Sequence, residues 1–316
     1  MRKANSSRED SKWSTLDRNI LATIFDKLDM MDITMGASRV CIHWFLVSHN
    51  KLLWETIDLT RLKHKGKNVL YKYRVDKEAL SFSNLSIKMS RFFFNFRRVK
   101  RIKLKNLIVE ITKLSRTAPR NVFFNFNSYL QKEDLMFVAE RMPNIEKLAL
   151  PVPLSLRNEK NSFRFAFSQW KNLKTLVMAY NEFTWFSFEI RIVGESCSNL
   201  NNLKLMGDLG NDDAETIVHY LQSLTRLSLR CSLIDVEGVL LLIRGLRNLA
   251  ILNLTHCVIL GWYLMINDVV QAATQKLDKL ITCAEDDCSV CEDRPSGEHN
   301  FYRKNWRNDE IKELEF

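Results

Sequence analysis

"LAILNLTHCVI" (residues 249–259) places Leu249, Leu252, Leu254, Cys257 and Ile259 on the spacing L-x-x-L-x-L-x-x-N/C-x-L. Its L-x-L centre is what a strand buried on one face shows, because side chains alternate across a strand with period two. The same spacing stands in "LKTLVMAYNEF" (173–183), through Leu173, Leu176, Met178, Asn181 and Phe183. A third copy, "LTRLSLRCSLI" (224–234), departs only at Ser232, which takes the Asn/Cys place.

Working outward, apolar-x-apolar pairs recur along the chain. They are Ile57/Leu59, Leu80/Phe82, Ile102/Leu104, Phe124/Phe126, Leu148/Leu150, Leu176/Met178, Leu203/Leu205, Leu227/Leu229 and Leu252/Leu254. Successive pairs lie 22 to 28 residues apart, a period that belongs to leucine-rich repeats. One such unit cannot cover its own apolar face. Stacking the units buries a continuous core and lines the strands up as a parallel sheet. The expected fold is therefore α/β. A leucine-rich-repeat solenoid over 56–283 forms a horseshoe, with the sheet on the concave face and helices on the convex face. Between the strands, 132–144, 213–224 and 236–246 carry helical apolar spacing, for example Leu135, Val138, Ala139 and Met142. Cys231 and Cys257 read as interior residues of stacked turns.

If the paired leucines face inward, the residues between and after them face out. Lys147, Ala149, Thr175, Val177, Lys204, Met206, Ser228, Arg230, Asn253 and Thr255 are then an open platform on the concave face, the surface on which repeat arrays bind their partners.

The 316 residues are 46% hydrophobic and 27% charged, an ordinary globular composition. No secretory signal is visible in "MRKANSSREDSKW", and "CVILGWYLMI" (257–266) is too short to span a membrane. An intracellular protein of the nucleus or cytoplasm, with its seven cysteines mostly as thiols, is expected. Charge is uneven. Residues 61–120 hold 18 Lys and Arg against three acids, whereas residues 284–316 hold ten acids against five bases. "RRVKRIKLK" (97–105) alternates about Val99, Ile102 and Leu104, so Arg98, Lys100, Arg101, Lys103 and Lys105 would crowd one strand face. An acidic protein partner or a solvated face ranks ahead of nucleic acid there, since no nucleic-acid-binding motif accompanies it.

Residues 13–55 fall outside the period. They read as short helices over Arg18–Leu28, Asp32–Val40 and Ile42–Ser48, with Asp17 or Asp32 as helix cap. Ile20, Leu21, Ile24, Phe25 and Leu28 share one helical edge. So small a unit rarely holds a core alone. The stretch "WSTLDRNILATIFDKLDMMDITMGASRVCIHWFLVSHNKLLWETIDL" resembles an F-box, through Leu16, Ile20/Leu21, Ile24–Phe25, Leu28, Asp32, Val40–Cys41, Trp44 and Trp54. An F-box followed by leucine-rich repeats, with the tail "LITCAEDDCSVC", resembles the plant F-box/LRR-repeat proteins. Asp17 stands where that pattern has a proline.

The resemblance implies a substrate-recognition subunit of a Skp–cullin–F-box ubiquitin ligase. The F-box would dock a Skp-family adaptor, and through it a cullin and a RING protein, while the repeats choose the substrate. Trp13, Leu16, Asp17, Ile20, Leu21, Ile24, Leu28 and Trp44 are the residues expected at the adaptor. The alternative is a ligase-independent scaffold that binds an anionic partner through 61–120.

Catalytic residues and cofactors are not expected. The chain has no G-x-x-x-x-G-K-[ST], G-x-S-x-G or H-E-x-x-H, and its six histidines are scattered. Cys283, Cys288 and Cys291 have the spacing C-x4-C-x2-C, half of which suits a metal, yet no fourth ligand stands out. No metal is therefore expected there. The domain plan is a disordered 1–12, an F-box at 13–55, repeats at 56–283 and an acidic tail at 284–316.

Overall fold

A computed structural model describes residues 13, 15–60, 63–64, 71–72, 104–115, 119–125, 130–151, 160–179 and 186–283. Its centre is an eight-stranded, wholly parallel sheet. The strands are β1 (Thr56–Leu59), β4 (Asn121–Phe124), β5 (Lys147–Ala149), β6 (Thr175–Ala179), β7 (Asn202–Met206), β9 (Arg226–Ser228), β11 (Ile251–Asn253) and β13 (Lys279–Ile281), side by side in chain order. β2 (Lys63–His64) and β3 (Tyr71–Lys72) form a short antiparallel pair. A second, three-stranded parallel sheet joins β8 (Asp208–Leu209), β10 (Leu233–Asp235) and β12 (Val258–Leu260).

The register explains why the apolar pairs recur. Ile57, Val122, Leu148, Leu176, Leu203, Leu227, Leu252 and Leu280 are successive partners across all eight strands. All but Leu280 are buried, and together with the helices behind them they make one core. Parallel neighbours need a crossover, and here helices supply it. They are α4 (Leu104–Ser115), α5 (Lys132–Arg141), α6 (Lys160–Gln169), α7 (Phe186–Ser196), α8 (Asn211–Tyr220), α9 (Val236–Gly245) and α10 (Trp262–Lys276), each packed on the next. The three helical segments expected between strands are present as α5, α8 and α9.

Turn chemistry repeats with the strands. Ser232 Oγ accepts the Gly207 N–H at 3.2 Å, and Cys257 Sγ donates to the Leu229 carbonyl at 2.9 Å. Each ties its turn to the repeat before it, so the Asn/Cys place acts through Ser as well as through Cys. At the ends of β1 and β11, Asp58 and Asn253 accept the N–H groups of Thr60 and Thr255, both at 2.9 Å. Glu146 clamps the strand starts by pairing with Arg120 at 3.1 Å and Lys174 at 2.8 Å. The Lys174 hydrogen bond holds its carboxyl below the usual range.

Two pairs depart from the expectation, and a third, Leu80/Phe82, lies outside the described residues. Ile102/Leu104 is not a strand pair, because Leu104 opens α4. There Leu104, Leu107, Ile108, Ile111 and Leu114 are buried at helical, not alternating, spacing. Phe124/Phe126 shifts by two: the buried pair is Val122/Phe124, since "NVFFNF" offers two alternations and the register to Ile57 and Leu148 selects the first. β13 follows "LDKLIT", where Thr282 replaces the second apolar residue and hides the strand from the pattern.

The N-terminal helices are α1 (Arg18–Asp26), α2 (Met30–Met35) and α3 (Ile42–Val47), with single 3-10 turns at Ala37–Arg39 and Lys51–Trp54. Asp17 caps α1: its carboxylate accepts the N–H groups of Asn19 at 2.8 Å and Ile20 at 3.4 Å. Asp32 lies inside α2 and is not its cap; Asp29 holds that position.

Candidate functional site

The N-terminal helices close on two indoles. Trp44 packs edge-on to Phe25 at 5.4 Å and to Trp13 at 6.4 Å, and its Nε1 donates to the Trp13 carbonyl at 2.9 Å. His43 Nε2 lies 2.8 Å from the Leu16 carbonyl, and Trp54 Nε1 donates to the Ser48 carbonyl at 2.6 Å. The Trp44 and His43 contacts pin the segment before α1 against α3, and the Trp54 bond ties the Lys51–Trp54 turn to the end of α3.

Once this core is closed, large apolar side chains remain outside it. Ile42 is 79% exposed, Leu52 78%, Ile20 54%, Leu46 52%, Phe45 42% and Val40 41%. Ile42, Phe45 and Leu46 stand at i, i+3 and i+4, so they share one face of α3, while Trp44 and Val47 turn inward. Six such residues are exposed on about forty, three of them together on α3.

Of the eight residues expected at an adaptor, Ile20 and Asp17 are exposed, and Trp13, Leu16, Ile24 and Leu28 are half-buried. Leu21 and Trp44 are instead core, at 0% and 6% exposure, because the face of α1 that holds Leu21 and Phe25 meets the indole of α3. Pattern reading missed Ile42, Phe45, Leu46 and Leu52. "IHWFLV" is apolar all round, so spacing alone does not say which side is inside.

The second surface is the sheet face away from the helices. Asp58, Phe123, Ala149, Val177, Lys204, Ser228, Asn253 and Ile281 form one cross-strand row there. Lys147 is exposed, and Arg230, Asn253 and Thr255 are half-buried. Ala149, Thr175, Val177, Lys204, Met206 and Ser228, also expected to be open, are buried. Strands under 5 Å apart set one row's side chains shoulder to shoulder, so short residues such as Ser228 and Val177 are screened by their neighbours. Of the basic cluster, Lys105 lies exposed on α4, where its Nζ is 5.8 Å from the Phe137 ring centre. Arg98, Lys100, Arg101 and Lys103 lie outside the described residues.

No family model matches the chain. An F-box protein of Arabidopsis thaliana, At4g11580, is 52% identical over 332 aligned positions, covering 99% of this chain and 98% of that protein. The chain belongs to the plant F-box/LRR-repeat family. A second Arabidopsis thaliana relative, F-box/LRR-repeat protein At3g48880, is 26% identical and is covered over 99% of its length. The stretch that resembles an F-box in sequence covers α1–α3 of this F-box/LRR-repeat protein. Asp17, where the family pattern has proline, keeps φ at −55°, within the range a proline ring would impose, and adds a cap that proline lacks. Among the described residues no group of three His, Cys, Asp or Glu side chains converges as a metal site, and no helix is long and apolar enough to cross a membrane.

Proposed function

We propose that this protein is the substrate-recognition subunit of a Skp–cullin–F-box ubiquitin ligase. It catalyses nothing itself: α1–α3 dock a Skp-family adaptor, and the repeats hold a protein substrate. The observation that carries this reading is the exposed apolar face of Ile42, Phe45 and Leu46 on α3, with Ile20 and Leu52 also left outside the core of the N-terminal module. Trp13, Leu16, Ile24 and Leu28 of the same module are half-buried, and Leu21 and Trp44 belong to its core.

Burying one Leu or Ile at an interface contributes roughly 1.5–3 kcal/mol, so removing two weakens binding by about a hundredfold or more. Ile42→Asp with Leu46→Asp is expected to abolish co-purification of a Skp-family adaptor while circular dichroism and thermal unfolding stay those of the native chain. Both side chains already face water, so the fold loses nothing. Adaptor binding that survives this pair overturns the docking face; native protein with no affinity for any such adaptor favours the scaffold reading. On the repeats, a solenoid whose concave side offers Lys147, Arg230, Asn253 and Thr255 is the substrate platform, with the buried row beneath setting its shape. The site of action is the nucleus or cytoplasm.

A further inference from the structure

On the sheet face away from the helices, the strand position just before the buried register makes a second cross-strand row. It carries Lys147 on β5, Arg226 on β9 and Lys279 on β13. Lys147 and Lys279 are exposed, and Arg226 is half-buried. Buried Lys204 on β7 and half-buried Arg230, just past β9, belong to the same face. From β4 to β13 neither row holds an Asp or a Glu. Among the described strands the acid of this face is Asp58, at its far edge on β1, and its carboxylate accepts from Thr60. At the strand starts charge is balanced instead, since Glu146 pairs with both Arg120 and Lys174. Lys147, Arg226 and Lys279 form no ion pair among the described residues. Like charges gathered on one face repel one another, an anionic partner relieves that repulsion, and complementary charge selects what docks.

We propose that the substrate segment held by the repeats is an extended run of Asp and Glu residues laid across the strands. This rests on the reading that the repeats hold a protein substrate, and it names that substrate's docking chemistry. The spacing of the cations favours a run of carboxylates over one phosphate. β5 and β9 are three strands apart and β9 and β13 two, so at just under 5 Å per strand the three charges spread over about 24 Å. A phosphate is gripped by donors that converge on one point, whereas these stand singly. An extended chain rises about 3.3 Å per residue, so about eight residues cover the row. Nucleic acid fits less well. Single strands stack their bases on aromatic side chains, and in the two rows the aromatic residue is Phe123, which is buried.

The probe is a fluorescein-labelled peptide of about ten residues, alternating Glu and Ser, so that every second side chain meets the sheet. It is titrated with the full chain by fluorescence anisotropy. Binding is expected in about 0.05 M salt and should weaken at least about tenfold in about 0.5 M salt. It should weaken as much in the triple variant Lys147→Gln, Arg226→Gln, Lys279→Gln. The same peptide with Gln for Glu should not bind. If the triple variant loses its native circular dichroism, Lys147→Gln with Lys279→Gln, both at exposed positions, makes the same test. Replacing Arg98, Lys100, Arg101 and Lys103 with Gln should leave binding unchanged. Binding lost there and kept in the sheet-face variants overturns the proposal, as does no binding by the native chain. So does tighter binding of a peptide of the same length with a single phosphoserine, or of a single-stranded RNA. Adaptor co-purification with the same proteins reports separately on the receptor reading: adaptor bound without peptide removes only the acidic segment, and peptide bound without adaptor removes only the receptor.

Discussion

Glu189 is the clearest case of a single residue working against the fold. It sits on α7 with 7% of its surface exposed, and burial pushes its carboxyl up to about 7. The folded state thus binds this proton more tightly than the unfolded chain, whose carboxyl titrates near 4.5. Its favourable contribution is complete below the unfolded value and is lost as pH rises through about 7. The loss amounts to about 3 kcal/mol at most, because each tenfold difference in proton affinity between the two states is worth about 1.4 kcal/mol. Glu189→Gln should therefore unfold at higher temperature than the native protein near pH 8.5 and converge with it near pH 5. Thermal unfolding of both across that range checks it, and parallel curves would remove Glu189 as the cause. Nothing in "FSFEIRIVGES" announces this residue, since the polar positions of a crossover helix look alike until its neighbours are placed. Asp17 is the opposite case: a helix-start carboxylate is visible in sequence, and the structure puts its oxygen on two N–H groups of the first turn.

Between elements, helix spacing is set by glycine at one crossing and tolerates more at another. A Cβ on Gly194 would run into the Tyr220 carbonyl, with Tyr220 Cβ at 2.8 Å and its backbone carbon at 3.0 Å. α7 rests directly on the backbone at the end of α8, and backbone cannot yield as a side chain can. Gly194→Ala should cost about 1–3 kcal/mol by overpacking. Gly238, on α9, would bring its Cβ only to 3.1 Å from Asn211 Oδ1 and 3.3 Å from Ile234 Cγ1, both side-chain atoms. There the gain in helix propensity, up to about 1 kcal/mol, offsets the crowding, and Gly238→Ala should be near neutral. Denaturant midpoints of the two variants decide it; equal losses would mean that helix spacing is not set at Gly194. The large-sheet strands from Leu148 to Leu254 are legible in sequence, because L-x-L with an apolar residue three places earlier is a two-part signal. L-x-L alone is not, and at Leu104 it was the first turn of a helix.

Across the whole molecule, the sequence suggests a small module attached to a separate repeat array, and the structure joins them. β1 neighbours β4, with Ile57 paired to Val122. Among the described residues no strand of the large sheet stands between them. The helix that lies between them in the chain, α4, packs against α2 and the Lys51–Trp54 turn, so Leu21, Phe25, Trp44 and Trp54 share one hydrophobic core with Ile57, Leu59, Leu107 and Leu176. Periodicity does not reveal this, since it reports which face of an element is apolar and not which neighbour covers it. The polar contact across the seam, Arg39 to Glu110 at 3.1 Å, is half in water and contributes little; the apolar burial carries the joint. Removing residues 1–55 would uncover Ile57, Leu59 and Leu107, each at most 2% exposed. Losing about half the burial of three such side chains, at roughly 1.5–3 kcal/mol each when complete, costs about 2–4 kcal/mol. That is a large share of the stability of a domain of this kind. The 56–316 fragment should therefore melt well below the full chain or aggregate, and the full chain should unfold in one transition by both tryptophan fluorescence and circular dichroism. A fragment as stable as the intact protein, or two separated transitions in the full chain, would mean that the N-terminal module and the repeats fold independently after all.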